Sequence, residues 1–236
     1  MKNYLLILCL VVFVASAQNL SAQKSMKYDV TAFTEISVKN NAKLILKQDD
    51  VQSVTVTAND EVFEKLIVEI KDRKLVVRYS ANTWFDSSWK AGAITVYVSV
   101  PQIDELTVSG SGSIISDELI TARVLDCYVS GSGFIRLSNL KAEKITSGLS
   151  GSGHLQLAGE EVVSDLKMSV SGSGSIKASG LKAKNVNVLI SGSGNCAVNA
   201  IDQLNCKIAG SGNVTYTGNP EVKTTIVGSG KVREAR

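Results

Sequence analysis

Histidine is the usual general base and the usual partner of a nucleophile, and the chain contains one, His154. It lies four residues after Ser150, the start of a Ser-Gly-Ser-Gly segment, at a position expected to face outward between Phe134 and Ser175. It is therefore read as a solvated side chain. Beyond Cys9 the cysteines are Cys127, Cys196 and Cys206. Their positions in an apolar pattern mark them as buried free thiols acting as small hydrophobes, with a Cys196–Cys206 bridge as the alternative. Neither their spacing nor their neighbours make a metal site. A polysaccharide lyase or hydrolase needs carboxylates converging on one outer face, paired or joined by a cation and a basic residue. Asp117, Glu118, Asp126, Glu143, Glu160, Glu161 and Asp165 fall at different offsets from the repeated segment and form no ladder. No catalytic residue, metal or cofactor is expected, and an enzyme is the least favoured reading.

The glycine-rich segments lack the following helix and the Lys-Ser/Thr pair of a phosphate loop. Trp84, Phe85 and Trp89 are the candidate binding residues, because exposed aromatic rings stack on sugars or anchor protein interfaces. The alternative is that their loop covers an open sheet end. Ser111, Ser132, Ser152, Ser173, Ser193, Ser211 and Ser229 form a hydroxyl row with a structural role or a glycan-facing one. Arg136, Lys177 and Arg233, with Gln156 between, share one outward offset and form a basic strip that reads as solubilising surface, with contact to acidic glycans as the alternative.

These residues are positioned by a repeat. Ser109-Gly110-Ser111-Gly112 recurs from Ser130, Ser150, Ser171 and Ser191, with degenerate copies from Ala209 and Val227; the spacings are 21, 20, 21, 20, 18 and 18 residues. Self-similarity at this period predicts a solenoid. Strand side chains alternate faces, and aligned copies show apolar ladders. One residue before the motif stand Val108, Val129, Leu149, Val170, Ile190, Ile208 and Ile226. Three before it stand Leu106, Cys127, Ser147, Met168, Val188, Cys206 and Thr224; five after its start come Ile114, Ile135, Leu155, Ile176, Cys196, Val214 and Val232. Each repeat reads as strand, glycine turn, strand, second turn and short third strand, such as Leu106–Val108, Ile114–Ser116 and Ala122–Leu125. One such coil cannot bury its apolar face, but stacked parallel coils can. Ile36-Ser37-Val38 and Leu44-Ile45-Leu46 repeat the offsets upstream, with Val54 and Val56 expected as that coil's third strand. The fold class is thus all-β, a parallel β-helix with roughly 20-residue coils. Residues 23–236 are expected to form one domain, with N-terminal coils and a cap over 27–105 and regular repeats over 106–236.

Lys2, an apolar run from Tyr4 to Ala15 and then small residues have the layout of a secretory signal peptide, here assigned to 1–22, with cleavage after Ala17 or Ala22. Either cut lowers the formal charge from +3 to +2. The apolar run falls short of the roughly 20 residues of a membrane span. The near-balanced charge gives no basis for nucleic-acid binding.

Phe33-Thr34-Glu35-Ile36-Ser37-Val38, Val98-Ser99-Val100-Pro101 and the Gly-Ser-Gly series that follows resemble the putative auto-transporter adhesin, head GIN domain family of exported bacterial proteins, over roughly residues 28 to 236. The resemblance implies a right-handed β-helix, a family common in the Bacteroides lineage, and an adhesin-like role without catalytic residues. The Trp84–Trp89 segment and the Ala209 and Val227 replacements are departures from the pattern. The expected function is an exported cell-envelope or secreted binding module for a glycan or a cell-surface protein. A structural, self-assembling solenoid, forming a homo-oligomer, is the alternative.

Overall fold

The structure is a computed structural model that describes residues 23–81 and 92–235. Alternating apolar residues over most of the chain force strand after strand, and the result is a β-solenoid of about six turns. Strands β1 (Lys24–Tyr28), β2 (Glu35–Val38), β3 (Lys43–Gln48) and β4 (Ser53–Ala58) come first, followed by helix α1 (Asp60–Lys65). Then come β5 (Leu66–Lys71), β6 (Lys74–Tyr79), β7 (Thr95–Val100) and β8 (Glu105–Gly110). The regular coils are built from β9 (Ser113–Gly131), β10 (Phe134–Gly151), β11 (His154–Ala158), β12 (Val163–Gly172), β13 (Ser175–Gly192) and β14 (Asn195–Gly210). The last coil is β15 (Asn213–Thr217), β16 (Glu221–Gly228) and β17 (Lys231–Glu234).

The long strands bend around the body. β9 starts beside β3, pairs through 119–122 with 139–142 of β10, and ends beside β8. Three faces result. Face 1 carries the segments that enter the glycine motif, in the order β6, β2, β8 and then the ends of β9, β10, β12, β13, β14 and β16. Face 2 carries the segments that leave it, and face 3 the remainder.

The two glycines of each motif do different work. The first has positive φ, +107° at Gly131 for example, which a residue with a Cβ adopts only under strain. The second lies against the coil before it: a Cβ on Gly133 would sit 2.5 Å from the Gly112 carbonyl oxygen and 2.5 Å from Val108 Cγ1. This closeness keeps the ladder continuous around the corner. The Ser132 and Gly133 N–H groups both donate to the Gly110 carbonyl (3.0 and 2.8 Å), and the Phe134 N–H donates to that of Gly112 (3.1 Å).

The three apolar ladders all face inward through the regular coils. Three more complete the core. Leu125, Ile145, Leu166, Val186 and Leu204 precede the motif by five residues; Leu137, Leu157, Ala178 and Val198 follow its start by seven; and Ile120, Leu140, Val163, Leu181 and Ala200 line face 3. The third side of the first full coil is therefore built on Leu119–Ala122, with Leu125 already on face 1.

The N-terminal part departs from simple stacking. β2 lies between β6 and β8, and β3 between β7 and β9, so strands later in sequence stack on the outer side of the first coil. Val54 and Val56 do not form a third parallel side: β4 runs antiparallel to both β7 and β1. The short 49–52 connection reverses the chain instead of carrying it around a corner, which suits antiparallel and not parallel placement. On face 1 the outermost strand β5 is likewise antiparallel, joined to β6 by a turn with positive φ at Asp72 and Arg73. Helix α1, absent from the all-strand expectation, starts where the Asn59 side chain accepts from the Val62 N–H at 2.9 Å, with Asp60 and Glu61 in its first turn. Lys74 ties β6 to β2 and, beyond it, to β8, reaching Glu35 at 2.9 Å and Glu105 at 2.8 Å.

Candidate ligand-binding groove

Parallel register aligns equivalent residues of successive coils in columns. On face 1, two positions before the motif, the outward column reads Thr107, Tyr128, Gly148, Ser169, Leu189 and Lys207. Its middle is low because Gly148 has no side chain and Ser169 a short one. The Tyr128 ring leans into that gap, with Cδ1 2.7 Å from where a Gly148 Cβ would stand. A glycine inside a strand commonly marks such a close approach. Burial raises the Tyr128 hydroxyl above its ordinary pKa, with Asp126 and Glu105 adding to the effect. Tyr128 still exposes 37% of its surface, and Leu189 exposes 53%.

Around this column lie two hollows that share Ser169 and Leu189, of about 330 and 340 Å³. Together they form a groove across six neighbouring strands, roughly 24 Å long at the ~4.8 Å spacing of paired strands. Ser130, Ser150, Ser171 and Ser191 make one rim. Thr146, Lys167, Asn187 and Asn205 make the other, with the Asn205 side-chain amide donating to Asn187 Oδ1 at 3.3 Å. Among the described residues no aspartate or glutamate lines either hollow.

Other sequence candidates are dispersed. His154 sits between Phe134 and Ser175 on face 2, as its offset predicts, over a hollow of about 360 Å³ that it shares with Ser132, Arg136 and Gln156. No carboxylate lines that hollow, and Arg136 is held by Asp117 at 3.3 Å. The basic strip is interrupted, because Ala197 and Thr215 separate Lys177 from Arg233. The second-serine row is exposed along its whole length, and no hydrogen bond joins its hydroxyls among the described residues. Cys127, Cys196 and Cys206 are buried free thiols. Burial pushes all three above the ordinary thiol range, Cys196 to about 12 and Cys206 to about 11, so they stay protonated and unreactive at neutral pH. Among the described residues no cluster of His, Cys, Asp or Glu could hold a metal ion, and no helix is long and apolar enough to cross a membrane. Trp84, Phe85 and Trp89 lie outside the described residues, as does the 1–22 segment.

A parallel solenoid whose stacked coils present a long shallow groove has the build of a repeat protein with an extended surface. The chain belongs to the family described as putative auto-transporter adhesin, head GIN domain, which matches residues 32–220. Its fold is shared by a putative adhesin from Bacteroides fragilis, 20% identical with a TM-score of 0.80, and by a putative lipid binding protein from Parabacteroides distasonis, 22% identical with a TM-score of 0.72; each alignment covers 91% of this chain and 97% of the other. A putative adhesin from Parabacteroides distasonis is similar at 26% identity and a TM-score of 0.71 over the same shares. No curated protein matches the chain.

Proposed function

We propose that this protein is an exported, non-enzymatic binding module of the cell envelope, and that it engages its ligand along the face 1 groove. The observation that carries this reading is the pair of hollows, meeting at Ser169 and Leu189, that between them extend over six strands whose register is fixed by backbone pairing. A surface so built is preorganised, so binding costs little ordering entropy. The family description and the signal-peptide layout of 1–22 support export and a surface role. The test is an array of glycans and surface proteins probed with chain 23–236. A ligand is expected that the Tyr128→Ala and Leu189→Ser variants lose and Lys177→Glu, on face 2, keeps. Retention by both groove variants moves the site elsewhere, first to Trp84, Phe85 and Trp89, which Trp84→Ala and Trp89→Ala then test.

A second reading, self-assembly, is favoured by the last coil. There Ile226 faces inward by its ladder position yet is 39% exposed, and nothing among the described residues pairs with the outer edge of β16. Sedimentation in which the mass rises with concentration supports it, and a monomer throughout argues against it.

A further inference from the structure

Charge is distributed unevenly along the groove. In the outward column four positions before the motif, the order is Glu105, Asp126, Thr146, Lys167, Asn187, Asn205 and Lys223. The carboxylates stand at the N-terminal end, where Lys74 already holds Glu105 at 2.8 Å. Toward the C-terminal end the acids are paired: Asp165, in a hollow beside the rim that it shares with Thr146 and Lys167, is held by Lys144 at 3.6 Å and by the Asn185 amide at 3.3 Å, and Glu221 by Lys223 at 3.0 Å. Lys167 and Lys207 line the groove itself, and neither has an acidic partner among the described residues. They are two strands apart, roughly 10 Å along the stack, and stand in adjacent outward columns, roughly 7 Å apart across it. Between them lie the Asn187 and Asn205 amides and the apolar surface of Leu189.

From this arrangement we infer that the groove's ligand is an anionic polysaccharide laid along the stack, its acidic groups meeting Lys167 and Lys207. The inference rests on the proposed reading of the groove and adds the ligand's chemistry. Each part of the surface matches a part of such a chain. Two ammonium groups spaced along the axis can pair with acidic groups carried along a polymer, and no carboxylate among the described residues lines the groove between them to repel it. The two amides and the serine rim offer donors and acceptors to hydroxyls, while Tyr128 and Leu189 offer apolar surface to sugar ring faces. A straight array of equal steps fits a repeating extended chain better than a compact solute.

Two matched pairs of probes test this with chain 23–236: polygalacturonate against its methyl ester, and dextran sulfate against dextran. At least one charged member is expected to bind, with affinity falling as salt rises because the lysines are exposed. Its neutral counterpart should bind weakly. The Lys167→Glu/Lys207→Glu variant should lose about tenfold or more, since it places like charges opposite each other, and the face 2 variant Lys177→Glu should not. Thermal melts confirm that both variants are folded. Equal binding of the neutral members, lost in Tyr128→Ala, overturns the charge assignment and leaves the groove reading standing. Charged-polymer binding that both lysine variants retain overturns the site. No binding to either charged polymer, or binding only to vesicles of anionic phospholipid, overturns the ligand class.

Discussion

Gly133 and Gly148 are both glycines in close contact with a neighbouring coil, but a methyl group added to each would meet different obstacles. At Gly133 the obstacle is backbone, the Gly112 carbonyl, together with a buried Val108 methyl. The carbonyl cannot move without breaking its bond from the Phe134 N–H, and the Val108 methyl is packed in the core. At Gly148 it is the ring of Tyr128, a partly exposed side chain with room to rotate. Gly133→Ala is therefore expected to destabilise the fold by about 1–3 kcal/mol, the usual range for overpacking. Gly148→Ala should cost less and instead lift Tyr128 out of the groove. Denaturant melts of the two variants, with tyrosine fluorescence in the second, check this pair; equal losses of stability would mean that Tyr128 is as fixed as the backbone.

At the scale of the element, what matters is which face of a strand a residue occupies. Ile190 and Leu189 are adjacent in β13 and similar in size, yet Ile190 is fully buried while Leu189 is 53% exposed in the groove. Ile190→Ala should cost about 2–5 kcal/mol, and Leu189→Ala should stay within about 0.5 kcal/mol. Chemical denaturation measures both, and a large loss at Leu189 would show that the groove floor belongs to the core. This alternation is what made the regular coils legible in the sequence. The glycine motif fixed a register, and Val108, Ile190 and Ile114 could be placed inward from it without structural knowledge. Face 3 was less legible, because Leu140 and Leu181 stand ten residues after the start of their motifs but Val163 thirteen and Ala200 nine, as the corner lengths vary. The N-terminal coils were legible as strands but not as an arrangement. Nothing in β2 or β3 states that β6 and β7 return to their outer side, since that pairing is set by shape and not by period. The groove was half visible: Tyr128, Ser169 and Lys207 could be placed outward from their offsets, but the low floor at Gly148 depends on side chains of adjacent coils read together.

For the whole molecule, stability follows from stacking. A solenoid's stability is approximately a sum over coils and the interfaces between neighbours. Interior segments such as those of β10 and β13 have a paired coil on each side, and the residues they turn inward are covered from both. At the N-terminal end the antiparallel strands β1, β4 and β5 cover the first coils. At the other end β16 pairs with β14 and β17 with β15, and nearly every residue of the two strands is exposed. Local opening should therefore begin there. Native-state hydrogen exchange of chain 23–236 is expected to show amides of β16 and β17 exchanging far faster than those of β10 and β13. The groove, spanning β8 to β14, then lies on the slow-exchanging part and keeps its shape while the last coil frays. If β16 and β17 were as protected as the interior, something must cover them, and concentration separates the causes: protection that disappears on dilution is the signature of a second copy docked on the last coil, whereas protection independent of concentration means that the coil is stable with a single neighbour.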